Sequence, residues 1–172
     1  MNYLTFWKPR QTDVCAFLLI LRYAFGHRVK DFYINAGLVS YKKNGNYLSA
    51  NLQYNVQHSE YKNELISHET YLFEAGYILF LFGNSNRSLN LNAGIQGIIG
   101  FELINQGEEV LYDGAVLEST EDFLYGAGTK LSLEKFLSNH IMLLLQAKMN
   151  AVWGTTMEII RPSLGLGIRY NF

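Results

Sequence analysis

Apolar and polar residues take turns along most of this chain. Between residues 46 and 57, Leu48, Ala50, Leu52, Tyr54 and Val56 share one parity, and Ser49, Asn51, Gln53 and Asn55 the other. Successive side chains of a strand point to opposite faces, so this is a ribbon with one apolar and one polar face, which no helix produces. Residues 88–103 repeat the pattern, with Leu89, Leu91, Ala93, Ile95, Ile99 and Phe101 set against Asn90, Asn92, Gly94, Gln96, Gly100 and Glu102. So do residues 121–135, where Phe123, Tyr125, Ala127, Leu131 and Leu133 oppose Gly126, Gly128, Lys130, Ser132 and Glu134. The last segment sets Leu164, Leu166, Ile168, Tyr170 and Phe172 against Ser163, Gly165, Gly167, Arg169 and Asn171. Together with 31–41, 69–82 and 140–153 these predict seven strands.

The predicted strands run to about ten residues or more, longer than the ~5–6 of an ordinary globular strand and suited to crossing a membrane at a tilt. Short polar turns are predicted at 43–46, 83–86 and 137–140, and longer loops at 58–68, 104–121 and 154–161. Turns at one end and loops at the other are the mark of an outer-membrane barrel. The fold class expected is therefore all-β: an antiparallel up-and-down outer-membrane β-barrel of about eight strands. Closure with an even count needs one strand more than the seven, and residues 1–30 must supply it. In that atypical N-terminus, either Val14–Phe25 is the first strand or the run Val14–Leu21 is the apolar core of a degenerate signal segment after Lys8 and Arg10. Residues 31–172 form the barrel domain.

Alternation does not say which face is wet. A soluble lipocalin-like barrel turns its apolar face inward around a ligand, and a membrane barrel turns it to lipid. Composition favours lipid: charged residues are 17% of the 172, and the polar faces are built mainly from Asn, Gln, Ser and Gly. A soluble exterior normally carries about 25–35% charged residues. Aromatics near the strand ends, at Tyr47, Tyr54, Tyr71, Phe101, Phe123, Tyr170 and Phe172, suit interfacial girdles. Tyr170 and Phe172 share one face of the final strand, the arrangement of a C-terminal signal for the outer-membrane assembly machinery.

The inward charges are then Glu74, Glu102 and Glu134 against Lys130, Lys148 and Arg169, expected to pair as a plug in a lumen too narrow for a channel. A net charge of −1 gives no global attraction to nucleic acid, and no direct nucleic-acid contact is expected. The lone Cys15 and the scattered His27, His58, His68 and His140 form no recognised metal motif, and His58-Ser59-Glu60 alternate in direction and make no triad. No cofactor, metal or catalytic residue is expected. The loop 104–121 mixes acids with apolar residues, and Asn105, Gly107, Glu108, Leu111, Tyr112, Asp113 and Gly114 form its candidate partner-binding part.

The chain further carries Glu69-Thr70-Tyr71, Glu74-Ala75-Gly76-Tyr77, Asn105-Gln106-Gly107-Glu108 and Leu111-Tyr112-Asp113-Gly114-Ala115. After these come Phe123-Leu124-Tyr125-Gly126-Ala127-Gly128, Leu143-Leu144-Leu145-Gln146, Val152-Trp153-Gly154-Thr155, Arg161-Pro162-Ser163 and Gly167-Ile168-Arg169-Tyr170-Asn171-Phe172. In order and spacing they resemble the TraO family, outer-membrane proteins encoded with the transfer genes of conjugative transposons. The resemblance spans residues 31–172; residues 1–30 depart from the short basic-apolar leader and Gly-containing first strand expected of such proteins. It implies a structural role in the mating apparatus, with outer-membrane lipid, the assembly machinery and other conjugative transfer proteins as partners. The alternatives are a general small outer-membrane barrel for adhesion or envelope integrity, and a soluble lipocalin-like binder.

Overall fold

The computed structural model describes residues 14–22, 32–42, 44–61, 64–83, 89–104, 121–138, 140–155 and 158–171. Eight strands follow one another: β1 (Val14–Arg22), β2 (Phe32–Tyr41), β3 (Tyr47–Tyr61), β4 (Glu64–Gly83), β5 (Leu89–Ile104), β6 (Glu121–Phe136), β7 (Ile141–Trp153) and β8 (Ile160–Asn171). They close into a barrel in chain order, every neighbour antiparallel, with β1 completing the ring against β8 through Cys15↔Asn171 to Ile20↔Leu166. Closure pairs the two strands that would otherwise be open edges.

Burial decides which parity faces inward. Leu52 is 67% exposed and its neighbour Gln53 6%; Ile95 is 70% exposed and Gln96 3%. Apolar side chains point outward and polar ones inward, the reverse of a soluble ligand-binding barrel, whose exterior must be hydrated. The lipocalin-like alternative is thereby excluded. Cross-strand register preserves the parity around the ring, as in Gln53↔Leu72, Leu72↔Gly100 and Gly100↔Leu124, all on the inner face.

Two expectations need correction. Residues 58–68 are mostly strand: β3 runs to Tyr61, β4 starts at Glu64, and these two residues pair. Composition turns polar there and mimics a loop, but a ladder needs only a partner backbone, and each strand supplies the other's. The loop at 154–161 is likewise shortened by β8 starting at Ile160, with Val152 N–H donating to Ile159 O at 2.9 Å. The connection 105–120 and residues 84–88 lie outside the described residues.

We call the end that joins β2 to β3, β4 to β5 and β6 to β7 the lower end, and the opposite one the upper end. At the lower end Lys42 N–H donates to Asn46 O (2.7 Å) and Gly45 N–H to Lys42 O (3.1 Å), closing a tight turn. Gly45 sits at φ +87°, a conformation open to glycine without strain. Asn46 ties this turn to β4, accepting from Phe80 N–H at 3.0 Å and donating to Tyr77 OH at 2.9 Å. In the β6–β7 turn Ser138 Oγ accepts from the N–H groups of His140 and Ile141.

The interior is not uniformly polar. Tyr33, Val39, Tyr41, Tyr47, Ile78, Met142 and Leu144 form a buried apolar cluster, and Leu72, Ile98, Leu124 and Val152 form a second. Along β7 the inward residues run Met142, Leu144, Gln146, Lys148, Asn150, Val152, so the clusters lie below and above a polar middle.

Candidate functional site

All six charged residues expected to face inward are buried, and they fall into three groups along the barrel axis. In the lower group Arg169 Nη1 lies 2.9 Å from Glu134 Oε1 and also donates to Tyr41 OH. Tyr47 OH donates to the same Glu134 oxygen at 2.9 Å, and its ring lies 4.9 Å from the guanidinium. A planar cation suits this place because it can donate to a carboxylate and stack on aromatic rings at once.

In the middle group Lys148 Nζ lies 3.0 Å from both oxygens of Glu74 and donates to Gln53 Oε1 as well. Asn150 Nδ2 donates to Glu74 Oε1 at 3.0 Å, and Gln96 Nε2 to Asn150 Oδ1 at 3.2 Å. Lys130 stands directly opposite Lys148 in the β6–β7 register. With the Asn51 amide turned so that both its atoms are satisfied, its oxygen accepts from Lys130 Nζ at 3.1 Å. Glu74 is thus the carboxylate held against two cations that face each other.

In the upper group Glu102 accepts from Thr155 Oγ1 at 2.7 Å and from Thr70 Oγ1 at 3.5 Å, with Arg161 Nη2 3.7 Å away. Arg161 also donates to Thr155 Oγ1 (2.6 Å) and to Glu158 O (3.1 Å). Sequence reasoning missed Arg161. Its signal was parity, since it shares the inward register of Ser163, Gly165, Gly167 and Arg169. Glycine on that face makes room: a Cβ on Gly128 would collide with the Asn150 amide that completes the Glu74 group.

Outside, aromatics line the upper half from β3 to β7. Tyr54 and Tyr71 lie 4.9 Å apart, Tyr71 and Phe101 6.0 Å, and Tyr125 stacks on Trp153 at 6.1 Å, while Phe101 pairs with Phe123 across β5–β6. Tyr47 is not among them. Counted among the girdle residues from sequence, it is buried in the lumen, because it shares the parity of Ser49, Asn51 and Gln53. Tyr170 is exposed on β8, 6.0 Å from the ring of His140. Phe172 and the candidate partner residues Asn105, Gly107, Glu108, Leu111, Tyr112, Asp113 and Gly114 lie outside the described residues. Among the described residues no group of His, Cys, Asp or Glu could hold a metal.

A closed ring of eight antiparallel strands with an apolar exterior and an ion-paired interior defines a β-barrel of the outer-membrane type. The crystal structure of Neisserial surface protein A (NspA) is similar, with a TM-score of 0.65 at 13% identity over 94% of this chain and 96% of that one. That of Ail, the attachment invasion locus protein of Yersinia pestis, in complex with the heparin analogue sucrose octasulfate, has a TM-score of 0.58 at 10% identity over 95% of this chain and 100% of that one. Identities this low speak for the fold alone. No curated protein matches the chain. The family model "Conjugative transposon protein TraO" matches residues 8–172, and the chain belongs to that family. The match starts well before residue 31, where the sequence resemblance began, and so takes in β1.

Proposed function

We propose that this protein is a non-catalytic outer-membrane scaffold of the conjugative transfer apparatus, held in the membrane by its barrel wall and joined to other transfer proteins at its two ends. The observation that carries the reading is the filled interior. Three buried charge groups and two apolar clusters occupy the lumen, so the barrel can anchor and position but cannot conduct DNA. Membership of a conjugative transposon family supplies the process, and the outward apolar band supplies the affinity for outer-membrane lipid.

In this reading the lower end faces the periplasm and the upper end the cell exterior, with Glu74, Glu102, Lys130, Glu134, Lys148 and Arg169 as a plug that rigidifies the scaffold. The outer-membrane assembly machinery inserts the barrel and reads Tyr170 and Phe172. The segment holding Asn105, Gly107, Glu108, Leu111, Tyr112, Asp113 and Gly114 meets a partner. The double variant Tyr112→Ala/Asp113→Ala is expected to lower transfer between mating cells while the barrel still assembles. Unchanged transfer would remove the loop from the account. A deletion strain that transfers normally but adheres poorly or has a fragile envelope would replace the scaffold with a general surface barrel.

A further inference from the structure

At the lower end β4 outruns β3. The β3–β4 ladder stops at Tyr47↔Ile78, yet β4 continues to Gly83, paired on its other side to β5 as far as Asn90. Leu79–Gly83 therefore has a second edge that carries no strand among the described residues. Among the described residues, Phe80 N–H is capped there by Asn46 Oδ1. A bulge between Phe80 and Phe82 breaks the alternation, and Leu79, Phe80, Leu81 and Phe82 are all exposed, Phe82 at 65%.

This edge does not suit the hydrocarbon, where unpaired backbone groups cost several kcal/mol each. Tyr77 marks the boundary just above it, with Asn46 on its hydroxyl and Lys42 Nζ 4.9 Å from its ring centroid, an amphipathic arrangement typical of the interface. With that level as the boundary, the apolar strand edge below it faces water rather than lipid. Natural proteins blunt such edges with charge or proline, or cover them; residues 79–83 carry neither charge nor proline. The surrounding sequence is one-signed: the lower-end segments 42–46, 84–88 and 135–140 contain Lys42, Lys43, Arg87 and Lys135 and no Asp or Glu.

We propose that the free edge of Leu79–Gly83 is a docking site for an extended, acidic and apolar segment of a periplasmic protein, added to β4 as a further strand. Main-chain hydrogen bonds to the edge supply affinity. Apolar side chains of the segment cover Leu81 and Phe82, and a carboxylate meets Lys42 beside Tyr77. The proposal rests on the reading that the lower end faces the periplasm.

The test uses cells carrying the whole transfer system, with a photo-cross-linking benzoylphenylalanine at Leu81 and, as a control, at Ile95 in the lipid band. The expected product from Leu81 joins the barrel to a transfer protein at a segment alternating apolar and acidic residues, and Ile95 gives none. Lipid adducts alone, or a product at a basic or helical segment, would overturn the proposal. In parallel, Leu81→Lys/Phe82→Lys, which places charge on the edge, should lower transfer at least about tenfold with the heat-dependent gel shift of the folded barrel retained. Should that pair fail to assemble, Phe82→Ser serves in its place. A folded variant that transfers normally, beside a deletion strain that does not, sinks the docking site and leaves the scaffold standing; a deletion strain that transfers normally removes the scaffold itself.

Discussion

Glu74, Glu102, Glu134, Lys148 and Arg169 are each held by more than one partner, and that multiplicity governs what removal of one costs. Glu74 takes two bonds from Lys148 and one from Asn150. Removing one partner of a buried ion pair costs about 3–5 kcal/mol, because an uncompensated charge is left behind. Here the loss is aggravated, since Lys130 and Lys148 are register neighbours that would face one another without the intervening carboxylate. Glu74→Ala is accordingly expected to lower the unfolding free energy by about 3 kcal/mol or more in urea titrations of the barrel in lipid vesicles. Glu74→Met/Lys148→Met, which removes anion and cation together, should recover most of it. Equal losses in the single and double variants would show that packing, not the pair, sets the stability.

Strands and turns divide the work differently. Along β5, Ile95 faces outward and Gln96 inward, so adjacent residues answer to different solvents. Ile95→Arg, near the middle of that strand, should destabilise the barrel by about 2–4 kcal/mol, the range for a cation on a lipid-facing midplane site. A value near zero in the same vesicle titration would mean that Ile95 does not face lipid. The β2–β3 turn depends on Gly45 at φ +87°, where a β-branched side chain is strained and where Phe80 packs closely. Gly45→Val should therefore cost about 1–2 kcal/mol and leave the rest of the ladder intact, as read from the far-ultraviolet circular dichroism of the folded protein.

For the whole molecule, closure and filling act together. A ring closed strand to strand resists detergent until boiled, so heated and unheated samples of the outer-membrane fraction should migrate differently on a gel. Identical migration would argue against a closed barrel. Among the described residues, two apolar clusters and three charge groups share the lumen. Reconstituted in planar bilayers, the protein should give no single-channel steps; regular steps would mean that the filling opens.

Period-two alternation made most of the wall legible in the sequence, since a strand exposed to two environments must alternate, and length separated membrane-crossing strands from ordinary ones. The inward position of the six charges followed from the same parity. Parity is silent where composition changes while the backbone continues, at residues 58–68, and at Tyr47 it points inward although the residue type suits an outer girdle. The sparse charge of the polar faces set the apolar parity toward lipid; which cation meets which anion, and that β4 overhangs β3, were left to the tertiary structure. The reason is physical: alternation and composition are local to one strand, whereas the partners across a lumen and the ends of neighbouring ladders are set by closure and register among strands far apart in sequence. Arg169 meets Tyr41 and Glu134, and Lys148 meets Glu74, only because eight strands close into one ring.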